Sequence, residues 1–404
     1  LDNVFFTTTT SGELNLLKQS VVLDFNYSLI YSSTKLKLQS NKSKTKLLTS
    51  TKHLLDMSSH PFQVIDLCAP AEETSRLLLE AANTQGFLFI DGHSFSQQQV
   101  DALFRLSMEY FTNTPHHEKL QYAFDVAKNY GYTDYTREQG DPSKAKDFKE
   151  CYNFGSINFS NGTYNGQSRS TSENCMQHGE VPPLFTYHND LIVDSIKKFH
   201  ELARNIMGLF TVALGIIQED FFVSRFSDDK KNGCVMRLLH YPLFRDDGVD
   251  GSSGIDPTLR IGPHSDYGAL TLLLQKEGEQ GLEVQLDPGC DQWTKVPFLT
   301  SRYEGSAPPI VVNFGDMLSF WTKGVIRSTK HRVKIDPGET RSSDRYSIVF
   351  FTHPDADTTL DPVPSRVIES NSNGIGAPPV TAYEYLSAHL SRVINSIPSH
   401  DGMV

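Results

Sequence analysis

The hydrophobic period of this chain changes at Phe222, and that change limits the folds open to it. Before it, Pro183 to Ile217 reads as one long helix. Ile192, Ile196, Phe199, Ala203, Ile206, Phe210 and Ala213 recur at three and four residues, the spacing that puts side chains on one helical face. After it come short apolar runs separated by turn-rich loops: "CVMRLLHYP", "ALTLLLQ", "LEVQL", "PIVVNFGDMLSFW", "HRVKID" and "RYSIVFFTHP". Runs of that length and spacing suit the strands of a β sandwich or barrel. A final helix is predicted over Val380–Ile397, with Leu386, Leu390, Val393 and Ile397 on one side. Upstream, "FQVIDL" and "FLFI" read as strands, and "AEETSRLLLEAANTQG" as a helix ending at Gly86. Gln97–Tyr110 and "PHHEKLQY" read as helical. Residues 124–180 are polar and rich in Tyr, Gly, Asn and Ser, which reads as long loops. The layout is helices first, then a β core, then one helix, with no internal repeat.

Composition narrows the class of partner. The chain has 404 residues and a net charge of −11, with no long basic patch after residue 60, which argues against nucleic acid. No apolar run approaches the roughly 18 residues a membrane span needs. The five cysteines, Cys68, Cys151, Cys175, Cys234 and Cys290, form no C-x-x-C pair. That argues against a disulfide framework or a cysteine zinc site and for a reducing compartment, so a cytoplasmic location is expected. Residues 1–56 differ from the rest. They are rich in Ser, Thr and Lys, lack Arg, and have no acid between Phe25 and Leu55. They read as a disordered tail or as sequence upstream of the native start, since Met57 opens "MSSHPFQVIDL"; a transit peptide fits less well without arginine or an amphipathic pattern.

"GPHSDYGALTLLLQ", Gly262 to Gln275, places a histidine and an aspartate two residues apart just before a leucine run. In a strand, residues i and i+2 point to one face, roughly 6.6–7 Å apart, so an imidazole and a carboxylate can converge on one ion. The spacing alone is cheap. It occurs five times, at His116/Glu118, His178/Glu180, His188/Asp190, His264/Asp266 and His353/Asp355. His116 and His188 fall in helical patterns, where the geometry is wrong, and His178 falls in a polar loop. His353 comes after a strand that Pro354 interrupts, which leaves it the main rival. His264 is distinguished by its downstream company. His331 opens another apolar run, and 14 residues later "RYSIVFF" supplies Arg345 and Ser347, again at i and i+2. Two histidines and a carboxylate on neighbouring strands suit non-haem Fe(II), and they suit zinc as well. A guanidinium inside a β core needs an anion: either a protein acid such as Asp316 or a small carboxylate ligand that also receives a hydrogen bond from Ser347.

The stretches "FQVIDL", "GFLFIDGH", "MRLLHYP", "GPHSDYGALTLLLQ", "GLEVQ", "WTKVP", "VVNFGDMLSFWTKG", "STKHRV" and "RYSIVFF" occur in the order found in a known family. Over residues 61–397 the chain resembles the iron and 2-oxoglutarate-dependent dioxygenases, in the branch similar to isopenicillin N synthase. The resemblance implies a mainly β fold with flanking helices, built on a double-stranded β-helix (jelly-roll) core. It implies an enzyme that oxidises a small molecule using Fe(II), 2-oxoglutarate as co-substrate and O2. By position it assigns iron to His264, Asp266 and His331, and the distal carboxylate of 2-oxoglutarate to Arg345 and Ser347. Tyr241 in "MRLLHYP" matches a tyrosine that bonds the co-substrate near the metal. Leu239 and His240 stand where many plant members have asparagine and tyrosine, and His240 reads as a core histidine rather than a fourth ligand. Asn313, Gly315 and Asp316 match a backbone-shaping turn, and Trp293 and Trp321 read as packing residues. The tyrosine-rich "NYGYTDYTREQ" is read either as part of the substrate mouth or as surface loop, and the loops 124–180 and 243–260 as pocket walls. The expected organisation is a tail (1–56), an N-terminal α/β region whose long helix packs on the core (57–230), the jelly roll (231–360), and a C-terminal helix and tail (361–404). An oxidase of the same fold that needs no 2-oxoglutarate, and a non-catalytic member that only binds metal or a small molecule, share these motifs. Substrate and oligomeric state are not encoded in any motif.

Overall fold

The apolar runs after Phe222 become strands, and the chain before it adds four more. The structure is a computed structural model that describes residues 60–125, 129–134, 147–165, 181–243, 258–335, 344–371 and 380–394. The expected tail 1–56, His178 and most of the 243–260 loop lie outside these residues. In chain order the strands are β1 (Val64–Asp66), β2 (Phe87–Asp91), β3 (Gly131–Thr133), β4 (Glu150–Phe154), β5 (Val235–Tyr241) and β6 (Leu259–His264). They continue with β7 (Leu270–Leu274), β8 (Leu282–Val284), β9 (Thr294–Lys295), β10 (Ile310–Phe314), β11 (His331–Lys334) and β12 (Arg345–Thr352). Eight of them form one sheet in the order β1-β2-β10-β7-β12-β5-β4-β3, and four form a second in the order β6-β11-β8-β9. Every pairing is antiparallel except β1 with β2.

The alternation of the strands separates two apolar clusters. Phe87, Phe89, Leu239, Leu273, Val311 and Val349 of the large sheet share one cluster with Leu282, Val284 and Val333 of the small one. This is the interior between the two sheets, the jelly-roll arrangement expected from the resemblance. Residues of opposite parity, such as Leu88, Leu238, Leu272, Val312, Ile348 and Phe350, join a second cluster with the helices. The largest helix, Asn189–Ala213, buries Ile192, Ile196, Phe199, Ala203, Ile206 and Phe210, the stripe read from the sequence. Full burial of each large apolar side chain contributes about 1.5–3 kcal/mol, so this one face is a major source of the fold's stability. The helix Gln97–Asn113 is capped by Ser96, whose side chain accepts from Gln99 N, and it also packs on this outer face.

Two expectations need correction. The long helix predicted over Pro183–Ile217 is two helices, Pro183–Tyr187 and Asn189–Ala213, with His188 at the break. The stretch 124–180, read as loops, contains β3 and β4, and β4 is a fully buried strand paired to β5. Its sequence "ECYNF" hides this because it buries Glu150 and Asn153, polar residues that argue against a strand in isolation. β1 to β4 enter the large sheet, and Phe62–Val404 forms one compact unit. The C-terminal helix is described over Ala382–Ile394, and its predicted extension to Ile397 lies outside the described residues. Among the described residues no helix is long and apolar enough to cross a membrane.

Candidate active site

The register of the small sheet pairs His264, the last residue of β6, with His331, the first of β11. Each imidazole donates from Nδ1 to a carbonyl two residues earlier, His264 to Gly262 O at 2.9 Å and His331 to Thr329 O at 3.1 Å. A ring nitrogen that donates carries the proton, which leaves Nε2 with a lone pair, the form that binds a metal. Both Nε2 atoms face Asp266 Oδ1, at 3.9 Å from His264 and 3.7 Å from His331. The other carboxylate oxygen is occupied, since Asp266 Oδ2 accepts from Thr271 Oγ1 at 2.6 Å and from Asn313 Nδ2 at 2.7 Å. One ligand atom from each residue is therefore available, all within 4.8 Å of one another. Bonds of about 2 Å to a common ion suit that spread. Among the described residues no other group of three or more His, Cys, Asp or Glu side chains has such spacing.

The loop carrying Asp266 is held by a helix start. Asp316 N donates to Asp266 O at 2.7 Å and Met317 N to Tyr267 O at 3.3 Å, at the beginning of the helix Asp316–Trp321. Gly315 permits this approach, because a Cβ there would lie 2.3 Å from Gly268 O and 2.8 Å from Asp266 O. The backbone-shaping role read for Gly315 and Asp316 is what the structure displays. Asn313 does more than shape the turn, since it touches the Asp266 carboxylate directly. A polar residue at an inward position of the apolar run "IVVNF" was the signal for it. Thr271, inward on β7 and opposite Asn313 in register, carried the same signal.

Arg345 opens β12 with its side chain inside the sandwich, 2% exposed. Its Nε donates to Glu279 O at 2.8 Å, and its guanidinium lies 4.6 Å from the centre of the Tyr241 ring, its cross-strand neighbour. Arg345 Nη1 has no hydrogen-bond partner, and neither does the buried Ser347 Oγ two residues along. Asp316, the alternative partner considered for Arg345, instead accepts from Ser265 Oγ at 2.9 Å and Ser328 Oγ at 2.5 Å. Among the described residues no acid forms an ion pair with Arg345. A buried guanidinium and hydroxyl with open donors on one strand face fit a carboxylate ligand, because leaving such donors unmet costs about 1–3 kcal/mol each. Beside Tyr241, a buried ion pair of Lys149 with Asp147 (2.7 Å) stands next to β6, where Gly262 N donates to Asp147 Oδ1 at 3.3 Å.

Protonation states fit ligand duty. Burial and the nearby His331 hold the His264 imidazole down to about 4, so it is neutral at pH 7. Burial opposes ionisation of Asp266, but His331, His264, Thr271 and Asn313 together keep its carboxyl below the usual carboxylate range. Burial raises the Tyr241 phenol, against the pull of Arg345 and Lys149, so it stays a neutral donor. Among the described residues, the other H-x-[DE] histidines, His116, His188 and His353, do not join this cluster. His116 faces Asp134 at 3.1 Å, and His188 caps a short helix. His353 is buried with neither ring nitrogen bonded, and Asp355 binds Ser227 instead. Trp321 packs on Phe221 and Phe222, and Trp293 stacks under Arg332 at 4.1 Å.

Comparison with known proteins agrees with this geometry. Residues 232–354 match the 2OG-Fe(II) oxygenase superfamily, and residues 55–173 match the family described as non-haem dioxygenase in morphine synthesis N-terminal. The UPF0676 protein of Schizosaccharomyces pombe is 30% identical over 320 residues, covering 78% of this chain and 86% of that protein. The chain belongs to the 2-oxoglutarate/Fe(II) oxygenase family. Scopoletin 8-hydroxylase of Arabidopsis thaliana is 25% identical, over 79% of this chain and 77% of that protein. In fold, the chain is similar to the full-length Neurospora crassa T7H solved with alpha-KG and thymine, with TM-score 0.63, 24% identity, and coverage of 83% of this chain and 98% of that one. As a member of the 2-oxoglutarate/Fe(II) oxygenases, the protein is an oxidoreductase that uses Fe(II), 2-oxoglutarate and O2 to oxidise a small molecule.

Proposed function

We propose that His264, Asp266 and His331 hold the iron, that Arg345 and Ser347 hold the distal carboxylate of 2-oxoglutarate, and that Tyr241 supports the same co-substrate. The observation that carries this reading is the pairing of an ion-sized cluster of open ligand atoms with buried, unmet donors at Arg345 and Ser347. Iron with its chelating keto acid, when bound, supplies the redox chemistry: O2 is reduced, 2-oxoglutarate becomes succinate and CO2, and one oxygen atom is left to oxidise a substrate C–H bond.

The protein's own contribution is positional. Thr271 and Asn313 fix the Asp266 carboxylate so that Oδ1 alone faces the histidines. Gly262 and Thr329 carbonyls fix the two imidazole tautomers. Tyr241, under the Arg345 guanidinium, keeps that cation pressed against an apolar wall, where water competes poorly for its donors. The apolar lining of Phe87, Leu239, Val284 and Val349 restricts water within the sandwich. The test is production of succinate from 2-oxoglutarate by the iron-supplied protein under air. It is expected from the natural chain and absent in Asp266→Ala. Equal succinate from both would overturn the ligand assignment.

A further inference from the structure

The surroundings of His240, which the site described above does not use, give that residue a role. His240 is 4% exposed on the β5 face opposite Tyr241, stacked between Phe111 (5.4 Å) and Tyr346 (4.7 Å, 12° between planes). Both ring nitrogens face carboxylates: Nδ1 lies 2.7 Å from Glu150 Oε1, and Nε2 lies 2.9 Å from Asp344 Oδ2. Glu150, 1% exposed, also accepts from Lys119 Nζ at 2.8 Å and Tyr132 OH at 2.5 Å. Asp344 accepts from Leu243 N at 2.7 Å with its second oxygen. Lys119, Glu150, His240 and Asp344 thus form a chain of groups that crosses from the short helix His116–Lys119 and β4 through β5 to the start of β12. His240 thereby bridges the two carboxylates, one at each ring nitrogen.

Removing one member of such a buried network is costly, yet an apolar replacement of the whole is often as stable. What the network supplies here is register. Asp344 immediately precedes Arg345, and β12 pairs Arg345 with Tyr241 and Tyr346 with His240. On the other side, Glu279 accepts from Tyr346 N at 2.6 Å through its carboxylate and from Arg345 Nε through its carbonyl. The two residues are therefore gripped from both flanks. We infer that His240 is a positioning residue for the co-substrate cradle: by bridging Glu150 and Asp344 it pins the start of β12 to the end of β5 and so aims the Arg345 guanidinium. This rests on the assignment of Arg345 and Ser347 to the distal carboxylate of 2-oxoglutarate.

The experiment compares the natural chain, His240→Phe, Asp344→Asn, Arg345→Ala and the His240→Phe/Arg345→Ala double variant. The readouts are iron affinity, the 2-oxoglutarate concentration for half-maximal succinate formation, and binding of pyruvate, a 2-oxo acid with no distal carboxylate. His240→Phe keeps the stacking and loses both hydrogen bonds; Asp344→Asn is the milder change, at a partly exposed side chain, should the first fail to fold. Either variant is expected to raise the 2-oxoglutarate requirement on the order of tenfold, with iron affinity and pyruvate binding unchanged. In the Arg345→Ala background, His240→Phe should add nothing. A requirement that stays put in the folded variants, an equal loss of pyruvate binding, or full additivity with Arg345→Ala overturns the inference. If Arg345→Ala itself leaves the requirement unchanged, the underlying assignment of the cradle is what fails.

Discussion

Asn313→Ala removes one of the two hydrogen bonds that fix the Asp266 carboxylate, and its cost can be worked from the structure. The bond is 2.7 Å long, and Asp266 is a buried, ionised acceptor. A hydrogen bond to a charged group contributes about 1.5–3 kcal/mol, and losing a group that orients a metal ligand costs about 10–100-fold in metal affinity. The two figures agree, since about 1.4 kcal/mol corresponds to a factor of ten. Thr271 still donates to the same oxygen at 2.6 Å, so the lower end applies: a fall of about tenfold in iron affinity is expected. Backbone pairing of β10 with β2 and β7 does not involve the side chain, so the sheet should remain intact. The assay is an anaerobic Fe(II) titration of the metal-free protein, with a 2-oxoglutarate titration at saturating iron after it. Iron affinity should fall while the 2-oxoglutarate affinity at saturation holds. Unchanged iron affinity in a folded Asn313→Ala would refute the claim that this amide presents Oδ1 to the metal.

Further expectations concern groups with unmet or suppressed chemistry. Ser347→Ala deletes a buried hydroxyl without a partner, so the unfolding free energy of the metal-free protein should not fall, while the 2-oxoglutarate requirement rises several-fold; denaturant unfolding and a steady-state assay read the two effects. Arg345→Ala should raise that requirement by two orders of magnitude or so, because it removes charge-assisted bonds of about 1.5–3 kcal/mol each. His200 is stacked on Phe159 at 3.6 Å, and burial holds it down to about 4 despite Asp228 nearby. Above pH 6.5 both folded and unfolded chains leave it neutral; as pH falls from 6.5 towards 4, only the unfolded chain takes up the proton, so stability falls through that window by up to about 3 kcal/mol. Urea unfolding of His200→Gln should show a correspondingly flatter pH dependence, and an identical slope would count against this account.

Much of the candidate site was legible because several of its proposed residues sit close together in sequence, two residues apart. Arg345 and Ser347 are an i and i+2 pair within β12, so one strand aims both members inward, whereas His264 ends β6 and Asp266 follows it on the loop held by Asp316 and Met317. The meeting of His264 with His331 could not be read from spacing, since it depends on the β6–β11 register across a long connection. The fold was legible where burial is apolar, as in the stripe of Asn189–Ala213 and the run that forms β12. It failed where burial is polar. β4 was missed because Glu150 and Asn153 look like loop residues until Lys119, His240 and Arg237 are found beside them. Likewise, nothing local distinguishes His240 from an ordinary core histidine. Its two carboxylates come from residues 90 and 104 positions away in sequence.

The central claim is that one interior face brings iron and the carboxylates of 2-oxoglutarate together. Its most direct test is to add Fe(II) and then 2-oxoglutarate to the metal-free protein without oxygen and record the visible spectrum. A metal-to-ligand charge-transfer band should appear on chelation, and at the same concentrations it should be missing from Arg345→Ala, which still binds iron. Iron binding with no band in the natural chain would contradict the account and favour an oxidase or a non-catalytic member of the same fold.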